Sequence, residues 1–282
     1  MAATIIDGKK IAKTIREEIK TEVAAWRERG IAPRLDVILV GDDPASVYYA
    51  KAKERISKRV DIDYVWHRLP ATATEAEVVA LVQELNDNPA VHGIMVELPL
   101  PEGIDKDRVL ATVHPLKDVD GVNPLNRGYL ASEMDGLFPA TPMACIEILD
   151  RLQISLAGQE VVLVGWGETV GKPLLPMLLG RRATVATTHS RTRDLAAHTR
   201  QADVVIAAAG YPGLITADMI KPGAVVIDVG INETDDGIVG DVDFDAVKEV
   251  AGYITPVPGG VGSVTTVLLF KNLLKGLKMQ QA

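Results

Sequence analysis

The chain has 282 residues, 47% of them hydrophobic, with a formal net charge of −8 at pH 7. That length is enough for two domains with cores of their own, since domains commonly run to about 100–150 residues. The negative balance argues against nucleic acid or an anionic membrane as the main partner, and no apolar run approaches the roughly 20 residues of a membrane span. The opening Met-Ala-Ala-Thr-Ile-Ile-Asp-Gly carries neither a basic nor an apolar leader region, so no signal peptide is expected. The single cysteine, Cys145, leaves no internal disulfide and no Cys-based zinc site, and its apolar neighbours Met143, Ala144 and Ile146 read as packing. The histidines (His67, His92, His114, His189, His198) contain no pair at helical ligand spacing, so no metal centre is expected. A cytoplasmic, metal-free protein is the expectation.

Apolar residues at Ile11, Ile15, Ile19, Val23 and Trp26 recur in steps of three or four, which predicts an amphipathic helix over 9–29. Leu35–Val40 reads as a buried strand ending at Gly41. Asp43-Pro44 then supplies an N-cap and a first-turn proline, predicting a helix from about 44 to 59. Tyr64–Leu69 is a second strand, 75–87 a second amphipathic helix, and His92–Leu98 a third strand closed by Pro99-Leu100-Pro101. A stretch rich in Pro, Gly, Asn and Asp, 114–142, reads as loops. Pro142–Leu152 then links to a second series: strand Glu160–Val164, a glycine-rich turn and a helix through about 180, then strands Ala183–Thr188, Val204–Ala208 and Ala224–Val229. Residues 264–278 form a final helix. Strands alternating with helices imply parallel sheets, hence an α/β fold of two α/β domains.

The apolar strand Val161-Val162-Leu163-Val164 enters Gly165-Trp166-Gly167-Glu168-Thr169-Val170-Gly171. Glycines there let the backbone turn sharply and approach a pyrophosphate, which a helix N-terminus stabilises with its free N–H groups. A tight strand-to-helix turn that binds nothing is the alternative. The end of the next strand reads His189-Ser190-Arg191-Thr192, a hydroxyl and a cation where an NAD site usually has an acid. Those groups suit a 2′-phosphate and hence NADP, with NAD possible; Arg191 as a solvated surface charge is the competing reading.

In the first half, Tyr49 and Lys53 lie four apart on the helix after Asp43-Pro44, so a phenol and an amine share one face. A tyrosine can stack on a flat ring, and a lysine can act as acid or base. A surface pairing is the plainer alternative, and Tyr48, Lys51, Arg55 and Lys58 compete on the same helix. Glu97 ends an apolar strand, and strand carboxyl ends open onto the binding crevice in parallel α/β proteins. The loop Lys117-Asp118-Val119-Asp120-Gly121 holds two acids, one of which could pair with an amino-pyrimidine edge; turn chemistry is the alternative.

These segments together resemble the bifunctional methylenetetrahydrofolate dehydrogenase/methenyltetrahydrofolate cyclohydrolase family over essentially the whole length. The resemblance is carried by Gly41-Asp42-Asp43-Pro44-Ala45-Ser46 with Tyr49 and Lys53, by Gly93–Pro101, and by Lys117–Gly121. It continues through Lys221–Asn232 and Thr255-Pro256-Val257-Pro258-Gly259-Gly260-Val261-Gly262. It implies a folate-binding catalytic domain over 1–140, a Rossmann-like NAD(P)-binding domain over 141–267, and a C-terminal helix of about 268–282 packing back on the first. A folate cleft between the domains and a homodimer joined through the nucleotide domain are also implied. Tyr49 would stack on the pterin, Lys53 would be the acid/base residue with Glu97 beside it, and Asp120 would hold the pterin edge. Pro258, Gly259, Gly260 and Val261 would line the substrate site. Gly165, Trp166, Gly167, Thr169, Val170, Gly171, Ser190, Arg191, Gly210 and Ile231 would hold the nucleotide. The implied chemistry is oxidation of 5,10-methylenetetrahydrofolate by NADP, then hydrolysis to 10-formyltetrahydrofolate.

Five positions depart from the family's pattern. Glu97 stands where glutamine is usual, and a carboxylate beside Lys53 favours the charged ammonium, which weakens it as a base. Trp166-Gly167 replaces Arg-Ser, removing one contact to a 2′-phosphate. Ser263 replaces a proline and gives up its fixed φ. Tyr129 stands where arginine is common. Beside a bifunctional enzyme, these departures leave two further readings: a dehydrogenase with impaired cyclohydrolase, and a folate-binding protein without catalysis. Retention of Tyr49, Lys53 and Asp120 together counts against the last.

Overall fold

The opening segment forms a short strand, β1 (Thr4–Ile5), and a long helix, α1 (Gly8–Glu28), whose Ile15, Ile19, Val23 and Trp26 are buried as their spacing predicts. The structure, a computed structural model, describes residues 2–235 and 237–281. Strand β2 (Arg34–Val40) is buried from its second residue onward. Helix α2 (Pro44–Arg59) starts at Asp43, whose side chain accepts from the Ser46 N–H, with proline in the first turn and Lys58 and Arg59 in the last. After β3 (Asp63–Leu69), helix α3 (Glu75–Asp87) opens with a reciprocal capping box between Thr74 and Glu77. Strand β4 (Gly93–Val96) completes a three-stranded parallel sheet in the order β3-β2-β4. Ile38, Val40, Ile94 and Val96 pack there against Val78, Val82 and Leu85 of α3.

Two further helices follow, α4 (Lys106–Thr112) and α5 (Pro124–Ala131). The second corrects the expectation of loops over 114–142. Asn123 caps it through the Leu125 N–H and Pro124 opens it, the same pairing as Asp43-Pro44. The surrounding Gly and Asp residues concealed that signal.

Helix α6 (Ala140–Arg151) leads to β5 (Glu160–Val164), α7 (Gly171–Gly180), β6 (Thr184–Thr188), α8 (Leu195–Thr199), β7 (Val204–Ala207) and β8 (Val225–Asp228). Then come the antiparallel pair β9 (Asn232–Thr234) and β10 (Gly237–Val239), a turn of helix α9 (Phe244–Val247), β11 (Tyr253–Ile254) and the last helix, α10 (Val261–Gln280). The main sheet runs β1-β11-β8-β7-β5-β6 with every neighbour parallel. From β5 the chain goes first to one side, β6, and then to the other, β7. That reversal is the topological switch point at which open α/β sheets bind ligands.

The chain divides into two compact units, one holding residues through Lys13 with Thr141–Thr265 and the other Thr14–Ala140 with the residues from Thr266 on. Residues 2–13 thus fall with the second half rather than with the rest of 1–140, because β1 extends that half's sheet by pairing with β11. The later part of α10 belongs with the first-half sheet. There Asn272 Nδ2 donates to the carbonyls of Val119 and Phe138, each at 2.8 Å, and Gln280 Nε2 donates to those of His92 (3.0 Å) and Leu116 (2.8 Å). Among the described residues, no helix is long and apolar enough to cross a membrane.

Candidate functional site

The amino end of α2 is tied to the exit of β4 by Ser46, whose buried Oγ lies 2.8 Å from Asp43 Oδ2 and 3.0 Å from the Leu98 carbonyl. That tie fixes α2 over the carboxyl ends of β2 and β4, where its inner face carries Tyr49 and, one turn on, Lys53. Glu97 continues β4 by one residue, its N–H donating to the Ile38 carbonyl at 2.9 Å, and is 5% exposed. Lys53 Nζ donates to both Glu97 oxygens, at 2.8 and 2.7 Å, with its own side chain 12% exposed. The ammonium has three N–H donors, so one remains to meet a ligand. Tyr49, one turn before Lys53 on α2, is half-exposed, its ring edge-on to that of Tyr48. Of the competing residues on α2, Lys51 and Arg55 are exposed, Lys58 pairs with Glu54 and Tyr48 lies largely in solvent.

The 117–121 loop separates structural roles from reactive ones. Lys117 is buried and caps the end of α3, its Nζ donating to the carbonyls of Leu85 (3.1 Å), Asn86 (2.7 Å) and Asn88 (2.9 Å). Asp118 is also buried and accepts from the N–H groups of Val122 and Asn123 and from Asn126 Nδ2. Burial pushes its carboxyl up to about 6 against those hydrogen bonds. With Lys117 and Asp118 anchored in this way, Asp120 lies close enough to Lys53 and Glu97 to interact with them electrostatically. Burial raises Asp120 above the ordinary carboxylate value, the Lys53 charge opposing. Burial also raises Glu97, with the Lys53 charge and hydrogen bonds opposing and Asp120 adding to the rise. An ammonium and two carboxyl groups with raised proton affinity can hold and pass a proton. Spacing showed Tyr49 and Lys53; nothing local distinguished Asp120 from Asp118.

In the second half, a cavity of about 640 Å³ opens at the carboxyl ends of β5, β6 and β7, its walls including Gly165, Trp166, Gly167, Ser190, Gly210 and Tyr211. Gly165 has φ +113°, and a Cβ there would overlap the Ala208 carbonyl. A Cβ at Gly171 would overlap the Gly165 carbonyl, whereas Gly167 faces open space. Two of the three glycines are thus demanded by the turn itself, and the third leaves backbone exposed for a ligand to approach. Thr169 and Val170 lead into α7, Thr169 exposed and Val170 at the cap position.

The turn after β6 is closed by the Arg191 N–H donating to His189 Nδ1 (3.1 Å) and the His189 N–H to Thr192 Oγ1 (3.0 Å). It sets Ser190 on the cavity wall and Arg191 on the exposed turn. Ile231 is exposed beyond β8. Gly259 has φ +111°, Gly260 packs its backbone on Gly8, Pro258 follows a cis peptide bond, and Val261 is buried at the start of α10. Thr192, Leu195 and Tyr211 also line the cavity and were not anticipated; the glycine after β7 was the available signal. Cys145 is fully buried, its thiol pushed up to about 12 by that burial. Among the described residues, no group of His, Cys, Asp and Glu is placed to hold a metal ion.

Comparison with known proteins shows the family. The catalytic domain of tetrahydrofolate dehydrogenase/cyclohydrolase matches residues 6–120, and the NAD(P)-binding domain of the same family matches residues 139–281. Bifunctional protein FolD 2 of Desulfitobacterium hafniense is 58% identical over 279 residues, covering 99% of this chain and 98% of the relative. The crystal structure of the bifunctional FolD enzyme of Campylobacter jejuni superposes with a TM-score of 0.97 at 43% identity, covering 99% of this chain and 100% of that one. The Trypanosoma brucei methylenetetrahydrofolate dehydrogenase-cyclohydrolase, solved with NADP cofactor and inhibitor, has a TM-score of 0.93 at 38% identity, covering 100% and 99%. The chain belongs to the tetrahydrofolate dehydrogenase/cyclohydrolase family.

Proposed function

We propose that this protein oxidises 5,10-methylenetetrahydrofolate to 5,10-methenyltetrahydrofolate with NADP and hydrolyses the product to 10-formyltetrahydrofolate. The observation that carries the reading is the buried Lys53–Glu97 pair with Asp120 near it and Tyr49 one turn before Lys53, in a chain that matches both domains of the family. Tyr49 offers its exposed face to the flat pterin, and Asp120 accepts from the adjacent N–H groups of the amino-pyrimidine edge. In hydrolysis, water adds to the methenyl carbon and the bond from that carbon to the ring nitrogen N5 then breaks. Lys53 as the amine takes a proton from the water, and as the ammonium returns one to the departing nitrogen. The net reaction releases one proton. Glu97 accepts two hydrogen bonds from the Lys53 ammonium and so opposes release of its proton, which tempers Lys53 as a base.

The residues of the second half fit a dinucleotide. The crowded Gly165 and Gly171 with the open Gly167 leave backbone accessible to a pyrophosphate at the start of α7. Trp166, Thr169, Val170, Gly210 and Ile231 are proposed to complete that contact surface. The Ser190 hydroxyl and Arg191 suit a 2′-phosphate, and the NADP held by the Trypanosoma brucei relative supports the same choice here. When bound, NADP accepts the hydride; the protein's part in that step is to hold both reactants in alignment. A homodimer joined through the nucleotide-binding unit is part of the proposal, supported by the exposed Ile238 of β10, and light scattering tests it.

A spectrophotometric assay with 5,10-methylenetetrahydrofolate and NADP or NAD, following reduced nucleotide and methenyl product together, tests the whole reading. Reduced nucleotide with little methenyl accumulation is the expected result. Accumulating methenyl product would convict the cyclohydrolase assignment, and no reduction with either nucleotide would overturn the function.

A further inference from the structure

Two acids of the nucleotide-binding unit are almost wholly buried and take no part in the reading above: Asp228 at the end of β8 and Asp241. Asp241 Oδ2 accepts the N–H groups of Ala209 (2.6 Å) and Gly210 (2.9 Å), and Oδ1 accepts those of Tyr211 (3.0 Å) and the Asn232 side chain (2.9 Å). Three consecutive backbone N–H groups converging on one anion form a nest, here permitted by Gly210 at φ +68°. Asp228 holds Asp241 in turn. Its Oδ1 accepts the N–H groups of Gly230 (2.9 Å) and Asp241 (3.0 Å), and its Oδ2 that of Val242 (3.0 Å). The sequence makes room for both carboxylates with glycine, since a Cβ at Gly230 would overlap Asp241 and one at Gly240 would overlap Asp228.

Ala209, Gly210 and Tyr211 are a wall of the 640 Å³ cavity. We propose that Asp241 is the positioning residue of this pocket, a built-in anion that fills the nest of Ala209–Tyr211 and sets the wall on which the nucleotide lies. The wall is thereby ordered before the nucleotide arrives, so binding does not bear the cost of ordering it. A filled nest also offers no N–H groups to a phosphate, which leaves the glycine turn at α7 as the place for the pyrophosphate. The four hydrogen bonds end on a charged acceptor, which makes them stronger than neutral ones. The inference rests on the proposed nucleotide site.

The test compares wild type, Asp241→Asn and Asn232→Ala. The second variant removes one donor to the carboxylate and lies outside the cavity lining. The readouts are the dissociation constant of NADPH by calorimetry, KM for NADP and kcat of the dehydrogenase, and hydrolysis of 5,10-methenyltetrahydrofolate without nucleotide. Asp241→Asn is expected to raise the NADPH dissociation constant and KM at least tenfold, with kcat at saturating NADP within threefold and nucleotide-free hydrolysis within twofold. Asn232→Ala should show the same split at about threefold. Unchanged nucleotide affinity in both variants overturns the proposal, and so does a parallel loss of hydrolysis, which marks a merely structural acid. If Asp241→Asn does not fold, Asn232→Ala decides alone. A wild type that binds NADPH yet turns nothing over would sink the proposed function and leave the positioning role readable from the dissociation constants.

Discussion

Replacing Glu97 by glutamine is the sharpest probe of the reactive centre, because it removes a charge while keeping shape. In the protein, Lys53 Nζ sits 2.8 and 2.7 Å from the two Glu97 oxygens, and neither side chain is more than 12% exposed. Solvent therefore screens the pair little. In Glu97→Gln one oxygen becomes an N–H donor that cannot face the ammonium, so one charge-assisted hydrogen bond and the counter-charge are lost together. A hydrogen bond to a charged group is worth about 1.5–3 kcal/mol. The sign follows from the charges: an anion beside an ammonium opposes removal of its proton, so replacing it makes that proton easier to withdraw. At about 1.4 kcal/mol per factor of ten, the cyclohydrolase rate should rise about tenfold or more. The assay is the disappearance of 5,10-methenyltetrahydrofolate without nucleotide, across pH 5.5 to 9.5, with dehydrogenase activity as the internal control. That control should change less than threefold, because hydride transfer draws little on a base. A rate that is unchanged or lower across that range would refute the claim that Glu97 governs proton transfer at Lys53.

Lys53→Met should lower cyclohydrolase activity by about a hundredfold or more, the usual weight of a general acid/base, while methylenetetrahydrofolate still reduces NADP; equal losses in both assays would deny Lys53 a specific role. Gly165→Ala forces a Cβ against the Ala208 carbonyl at a left-handed φ, so it should cost about 1–3 kcal/mol in urea unfolding and weaken NADPH binding measured by calorimetry. Lys117→Met leaves three carbonyls at the end of α3, those of Leu85, Asn86 and the C-cap Asn88, without their buried donor; a loss of about 2–4 kcal/mol in the same unfolding assay is expected, and less than 1 kcal/mol would contradict the cap. Asp118, raised to about 6 in the folded protein against 3.8 unfolded, is ionised at a cost above pH 6, and that cost fades as pH falls towards 4. Asp118→Asn abolishes this titration, so the variant should lose more stability relative to wild type at pH 5 than at pH 6.5; a difference that does not vary with pH would show that Asp118 is not raised.

Local sequence determined most of the secondary structure and part of the site. The helix at Pro44–Arg59 could be read from one capping residue and one proline, and the pitch of that helix put Tyr49 and Lys53 on one face before any tertiary contact was known. The turn at Gly165–Gly171 was legible because an apolar strand running into spaced glycines has few other outcomes. Short elements were not legible: β1 and β11 have two residues each, too few to carry a period, and exist because parallel neighbours hold them. Helix α5 went unread for a related reason, since Asn123-Pro124 resembled the turn residues around it until packing buried Leu130. The pairings that give the site its chemistry belong to the tertiary structure. Lys53 meets Glu97 across 44 positions, and Asp241 reaches the Ala209 N–H across 32. Lys117 was indistinguishable from a solvated charge until three carbonyls closed on it. Capping, pitch and turn geometry act between residues a few positions apart, so a sequence displays them directly. Which charge is buried against which is settled only when distant segments pack, because burial itself creates the demand for a partner.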